Sequence, residues 1–208
     1  MEQHQEVFAS QSLYRKVLCA LSRPGELQEI DEKIIEGLDL DKEESPYGSV
    51  YLDALALMVL DQQISFCVLG KSASQASEYF HAERQAQVSD ASTADFLFVP
   101  QCDEEAYQAI LDAKPGTLIE PHTSCTAFVL LDEISLAPEG AAQKRISLKG
   151  PGIKETNEVY LSDERALKAR VARADEYPCG IDMLFVDKNG KLFGLPRSSE
   201  LEIFGGEA

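Results

Sequence analysis

Basic residues are scarce in this chain: 19 Lys and Arg stand against 36 Asp and Glu, a formal net charge of −17 over 208 residues. A nucleic-acid backbone has to be met by clustered cations, so no nucleic-acid partner is expected, and an anionic membrane surface repels such a protein. A pocket of two arginines and a few backbone amides still holds a small anion against that field. Long hydrophobic runs are missing as well. The longest, Ala54 to Leu60, falls far short of the roughly 20 residues that cross a bilayer, and Met1 to Glu6 is polar, without the apolar stretch of a secretory signal. A soluble, cytoplasmic protein with no membrane partner is expected. The cysteines Cys19, Cys67, Cys102, Cys125 and Cys179 are odd in number and scattered. They predict reduced core thiols and no disulfide framework.

Signatures of catalysis and metal binding are incomplete. Gly70-Lys71-Ser72 follows a strand in the manner of a phosphate-binding loop, but the first glycine of that motif falls on Ser65. Asp39-Leu40-Asp41-Lys42-Glu43 alternates acids like the start of a calcium loop; Glu44 occupies the place of the turn glycine, so Asp39 to Glu44 reads as a solvated acidic segment. There is no C-x-x-C pair, His4, His81 and His122 lie far apart, and His122 with Cys125 alone does not make a metal site. No G-x-S-x-G elbow is present, and Cys179 has no histidine beside it in sequence to lower its pKa.

What remains is enough apolar content, 44% of residues, to bury one sizeable core. Leu13, Val17, Leu18 and Leu21 fall at helical spacing up to Arg23-Pro24-Gly25, a terminator and turn. Further helices are predicted over Ser49 to Asp61, Ser74 to Gln87, Asp103 to Ala113 and Asp163 to Asp175. Strands are predicted at Ile64 to Leu69, Phe96 to Val99, Thr126 to Leu131 and Arg145 to Leu148. Met183 to Val186 and Lys191 to Leu195 form a predicted hairpin, with Asn189-Gly190 suited to a type I′ turn. The fold expected is a single α/β domain over residues 1–208, with a mixed β-sheet and helices on both faces.

Three Gly/Pro-punctuated loops stand out: Leu148-Lys149-Gly150-Pro151-Gly152-Ile153, Tyr177-Pro178-Cys179-Gly180-Ile181-Asp182 and Leu195-Pro196-Arg197-Ser198-Ser199. A Gly-Pro-Gly turn exposes backbone amides because glycine has no Cβ. Arg23 and Arg197 sit beside prolines, which hold a guanidinium for bidentate anion recognition; pairing with carboxylates is the competing reading. Lys149 has the chemistry of a Schiff-base lysine for pyridoxal phosphate, against the ordinary reading of an exposed lysine. Arg23, Lys149, Gly150, Pro151, Gly152, Asp182 and Arg197 are therefore the candidate residues of a ligand cleft or an interface.

Taken in order, Phe8 with Leu18-Cys19-Ala20-Leu21-Ser22-Arg23-Pro24-Gly25 and the three loops resembles the PhnH family, the H subunits of the bacterial carbon–phosphorus lyase system. The resemblance runs from about residue 6 to about residue 200. Tyr177 stands where the family usually has phenylalanine, and the acidic connection from Asp39 to Glu44 is not matched to it. The resemblance implies a reduced version of the large domain of type I pyridoxal-phosphate transferases without the cofactor lysine and pocket, hence no cofactor. It further implies a homodimer that assembles with the G, I and J subunits. With the L subunit, that machinery displaces adenine from ATP by an alkylphosphonate to give a ribose 1-phosphonate 5-triphosphate; carbon–phosphorus cleavage follows later, assigned to the J subunit. No catalytic residue is implied for the H subunit. The alternative is a stand-alone pyridoxal-phosphate-type transferase using Lys149.

Overall fold

A computed structural model describes residues 2–41 and 45–204. Lys42 to Glu44 of the acidic segment, and the side chain of His4, fall outside them. In chain order the elements are α1 (Glu2–Ser22), β1 (Gln28–Glu29), α2 (Glu32–Gly37), α3 (Val50–Val59), β2 (Ser65–Val68), α4 (Ala73–Arg84), β3 (Gln87–Val88), β4 (Phe96–Val99) and α5 (Glu104–Asp112). There follow β5 (Thr126–Leu131), β6 (Ile134–Ser135), β7 (Lys144–Lys149), β8 (Asn157–Leu161), α6 (Arg165–Ala172), β9 (Asp182–Asp187), β10 (Lys191–Leu195) and β11 (Glu200–Phe204).

Among the described residues the strands form two sheets. The larger has the order β1-β10-β9-β5-β4-β2-β3, parallel from β9 through β3 and antiparallel at β10 and β1. The smaller is antiparallel, in the order β11-β7-β8-β6. Strand periodicity divides the core in two. Phe98, Phe128, Leu130, Leu184 and Val186 project to one face of the larger sheet, where they join apolar residues of α1, α2, α3 and α4. Leu97, Val99, Ala127, Val129, Met183 and Phe185 project to the other, where α5, α6 and the inner residues Ile146, Leu148, Val159 and Leu161 of the smaller sheet meet them. The α/β class, the mixed sheet and helices on both of its faces are thus observed.

Local signals explain the helix limits. Asp103 caps α5, its carboxylate accepting from the Ala106 amide at 3.0 Å. Helix α4 closes on Gln85 in the left-handed conformation, φ 56°. The C-terminal hairpin is formed by β9 and β10, but its turn is not the type I′ expected. Of residues 187–190 only Gly190 has a positive φ, +84°, because the buried Asp187 carboxylate accepts from the Asn189 and Lys191 amides at 2.8 and 2.9 Å and folds the turn inward. All five cysteines are free; Cys102 and Cys125 are buried, and burial pushes both thiols up to about 12. No helix among the described residues is long and apolar enough to cross a membrane.

Helix α1 lies directly on β10. A Cβ at Gly194 would stand 2.7 Å from the Ala20 carbonyl oxygen and 2.8 Å from the Leu21 nitrogen, so contact of helix and strand requires glycine there. Gly194→Ala is expected to force the two apart and destabilise the fold by about 2 kcal/mol, read as a lowered urea midpoint with an unchanged slope. A second prediction concerns Asp53, 2% exposed in α3. Burial pushes its carboxyl up to about 7, against hydrogen bonds from the Ser45 side chain and the Tyr47 backbone. The folded state then holds a proton that the unfolded chain has released above about pH 4. Stability accordingly falls as pH rises toward about 7, by up to about 1.4 kcal/mol per pH unit, and the full cost stands above that. Asp53→Asn should stabilise the protein near pH 8 more than near pH 5; thermal melts giving the same increment at both would contradict this.

Candidate functional site

The three Gly/Pro loops and the end of α1 converge at one place. After β7 the chain turns through Gly150-Pro151-Gly152, closed by the Ile153 amide donating to the Gly150 carbonyl at 3.1 Å. Gly152 has φ +85°, and a Cβ there would lie 2.2 Å from the Ser22 carbonyl oxygen and 3.1 Å from Pro24 Cδ. On the other side, a Cβ at Gly150 would lie 3.0 Å from the Ser198 carbonyl oxygen and 3.3 Å from Ser199 Cα. The turn is therefore wedged between the end of α1 and the link from β10 to β11. The wedge is pinned from below, where Asn157 Nδ2 donates to the Pro24 carbonyl at 2.7 Å.

The link, Pro196 to Ser199, carries the chain from the larger sheet into the smaller. Asp182, the first residue of β9, holds it. The carboxylate accepts from the Arg197 amide at 2.7 Å, from Nε at 3.2 Å and from Nη2 at 2.5 Å, while Nη1 donates to the Pro121 carbonyl at 2.6 Å. Two residues picked separately from sequence are thus one bidentate pair. All three nitrogens of the Arg197 guanidinium are engaged, so this arginine shapes the cleft and does not offer its fork to a ligand.

Beside the pair opens a cavity of about 500 Å³, lined among others by Pro151, Arg170, Tyr177, Arg197, Ser199 and Leu201. Arg170, on the last turn of α6, is 8% exposed and donates through Nη2 to the Arg197 carbonyl at 2.7 Å. Its Nε is buried without a partner, as is Ser199 Oγ. Burial pulls the Arg170 guanidinium below its ordinary range, opposed by Asp182 and Glu176 and reinforced by Arg173 and Arg197. Arg173 itself is satisfied: it pairs with Glu176 at 2.9 Å and donates to the carbonyls of Ile110 and Ala113. Arg170 was not among the residues singled out from sequence. The available signal was its spacing, since Ala166, Arg170 and Arg173 fall on the buried stripe of α6 and the turn that follows it.

The other candidates lie apart from this cavity. Lys149 is exposed at the end of β7, opposite Glu200, and does not line it. Arg23 is exposed and pairs with Glu26 at 3.5 Å. Lys71 is exposed, His81 Nδ1 lies 2.8 Å from the Ala86 carbonyl, and His122 is exposed while Cys125 is buried. No group of three or more metal-ligating side chains is assembled among the described residues. A second cavity, of about 320 Å³, opens at the carboxyl ends of β4 and β5. Its cations are matched within it, Arg165 by Asp163 at 2.5 Å and Lys188 by Asp132.

Comparison with known proteins adds one match. The family model described as bacterial phosphonate metabolism protein (PhnH) matches residues 2–202. No curated protein matches the chain. The matched span takes in α1, the wedge and the Asp182–Arg197 pair alike, and the chain therefore belongs to the PhnH family of bacterial phosphonate metabolism proteins.

Proposed function

We propose that this protein is a subunit of the carbon–phosphorus lyase core complex, a homodimer in isolation that assembles in the cytoplasm with the G, I and J subunits. In that setting it supports formation of ribose 1-(alkyl)phosphonate 5-triphosphate from ATP and phosphonate, by shaping structure or a ligand site and not by supplying the reacting groups. Membership of the phosphonate metabolism family supports the pathway. The observation that carries the subunit role is the wedge: the residues of the family resemblance are spent on locking two sheets together around a cleft. Large apolar side chains stand exposed beside it, Tyr177 on its rim and Leu118 and Ile119 in the turn whose base, Pro121, is held by Arg197. A seven-stranded mixed sheet flanked by helices supports kinship with the large domain of type I pyridoxal-phosphate transferases, within one domain over residues 1–208. The exposure of Lys149, away from the cavity, weighs against the stand-alone transferase.

Co-expression with the G, I and J subunits, followed by pull-down and mass spectrometry, tests the assignment. Copurification of all three is expected, and a chain recovered alone would sink it. Arg197→Ala should cost roughly 3 kcal/mol of stability, because it strands Asp182 and the Pro121 carbonyl. If the variant stays folded, loss of partners marks this region as interface, whereas intact assembly with lost phosphonate turnover marks it as a ligand site.

A further inference from the structure

Helix α1 is apolar on two sides. Ala9, Leu13, Val17 and Ala20 are buried on the side that meets β10 and α3. On the opposite side Val7, Phe8, Tyr14 and Leu18 stand 53, 66, 53 and 48% exposed. The outer side of an ordinary surface helix is polar, and a helix that is apolar all round is covered all round.

The outer side also departs from the rest of the chain in charge. No Asp or Glu occurs between Glu6 and Glu26, although 36 of the 208 residues are acidic. Asp31 is taken by Lys16 at 3.2 Å, Glu26 pairs with Arg23 past the end of the helix, and Glu6 and Glu36 border a cavity at its start. The middle of the face carries one charge, the exposed Arg15, which makes no ion pair among the described residues. A surface that gathers aromatic side chains and an arginine while shedding carboxylates has the composition of an interface core.

Spacing and charge name the occupant. Val7, Gln11, Tyr14 and Leu18 follow one another at intervals of four, three and four residues, with Phe8 and Arg15 beside them. This is the seam of a helix that packs along another helix, and it runs for about 16 Å. Pairing α1 with its own copy adds a second arginine and no carboxylate, between chains that each carry a net charge of −17. A different chain that brings an acid to Arg15 is complementary.

We propose that the outer face of α1 docks a helix of a different protein, with an apolar stripe that takes Val7, Phe8, Tyr14 and Leu18 and an Asp or Glu that pairs with Arg15. The inference rests on the subunit reading and names the surface that one partner covers and the chemistry of that partner.

Quantitative pull-down of the full-length chain co-expressed with the G, I and J subunits provides the test, together with photo-crosslinking of the assembled complex through Tyr14→p-benzoylphenylalanine. Arg15→Glu should lower recovery of at least one subunit by about tenfold, and the double variant Tyr14→Ser, Leu18→Ser by about 30-fold. Arg15 holds no partner within the fold, so a merely structural role predicts no effect from reversing its charge, and the urea midpoint of that variant should equal the parent's. Val88→Ser, at an exposed apolar residue of β3, should assemble like the parent. Irradiation should join position 14 to a helical segment of the subunit whose recovery falls. Undiminished recovery in both α1 variants, an equal loss in Val88→Ser, or a crosslink from position 14 only to a second copy of this chain would each overturn the proposal. Should the double variant fail to fold, Arg15→Glu and the crosslink decide. A parent chain recovered alone overturns the subunit reading and this inference together; a parent that assembles no better than its α1 variants overturns this inference only.

Discussion

The fold depends on a steric constraint at Gly152. Its missing Cβ lets the backbone after β7 approach the Ser22 carbonyl at a distance that no side chain tolerates. Helix α1 belongs to one face of the larger sheet and β7 to the smaller sheet, so this contact brings together elements from opposite sides of the molecule. Gly150 repeats the device against the link that crosses between the sheets. Pro151 sits between the two glycines, with its fixed φ limiting the conformations available to the unfolded turn. A loop that exposes amides for anion binding and a loop that admits neighbouring backbone need the same residues. Here both sides of the turn are filled by protein.

Electrostatics complete what the glycines begin. The link from β10 to β11 has no ladder of its own, and its backbone polar groups need partners. Asp182 supplies an acceptor for the Arg197 amide, and Arg170 a donor for the Arg197 carbonyl. One residue of the link is thereby fixed through both its backbone groups and its guanidinium. The same arrangement places two further cations beside the crossing, where Glu176 pairs with Arg173 and, with Asp182, also favours the charged form of Arg170.

Much of the larger sheet was legible because its strands are continuous apolar runs bounded by turns. Phe96–Val99 and Thr126–Leu131 appear with the limits read from sequence. The smaller sheet was half hidden. In Asn157–Leu161 only Val159 and Leu161 are buried, and Glu200–Phe204 is an edge strand with glutamates at two of five positions, so neither carries a strong apolar signal. Helix α2, six residues long, is too short for periodicity to show. At the site, Asp182 and Arg197 were visible through the loops that carry them, while their pairing was not, since fifteen residues and a hairpin separate them. Arg170 was hidden for the opposite reason: an arginine in a helix rich in Ala, Arg and Glu reads as solvent-facing until the stripe it lies on is known to be buried.

The position of the cleft within the sheet constrains its chemistry. Open parallel sheets ordinarily bind ligands beyond the carboxyl ends of their strands, where helix N-termini point amides and a positive partial charge at an anion. The cavity at that end of β4 and β5 has both its cations paired. The Arg170 cavity lies instead by the start of β9 and the last turn of α6, the end of a helix that carries the negative partial charge. That end of a helix stabilises a guanidinium and repels an anion, which favours the buried Arg170 on the last turn of α6. Asp182 and Glu176 do the same for Arg197 and Arg173. The Gly-Pro-Gly turn contributes the cleft's wall through Pro151, and Glu200 at the start of β11 sets a further carboxylate in that wall beside Arg170, so the cleft draws both signs of charge from side chains and neither from the turn.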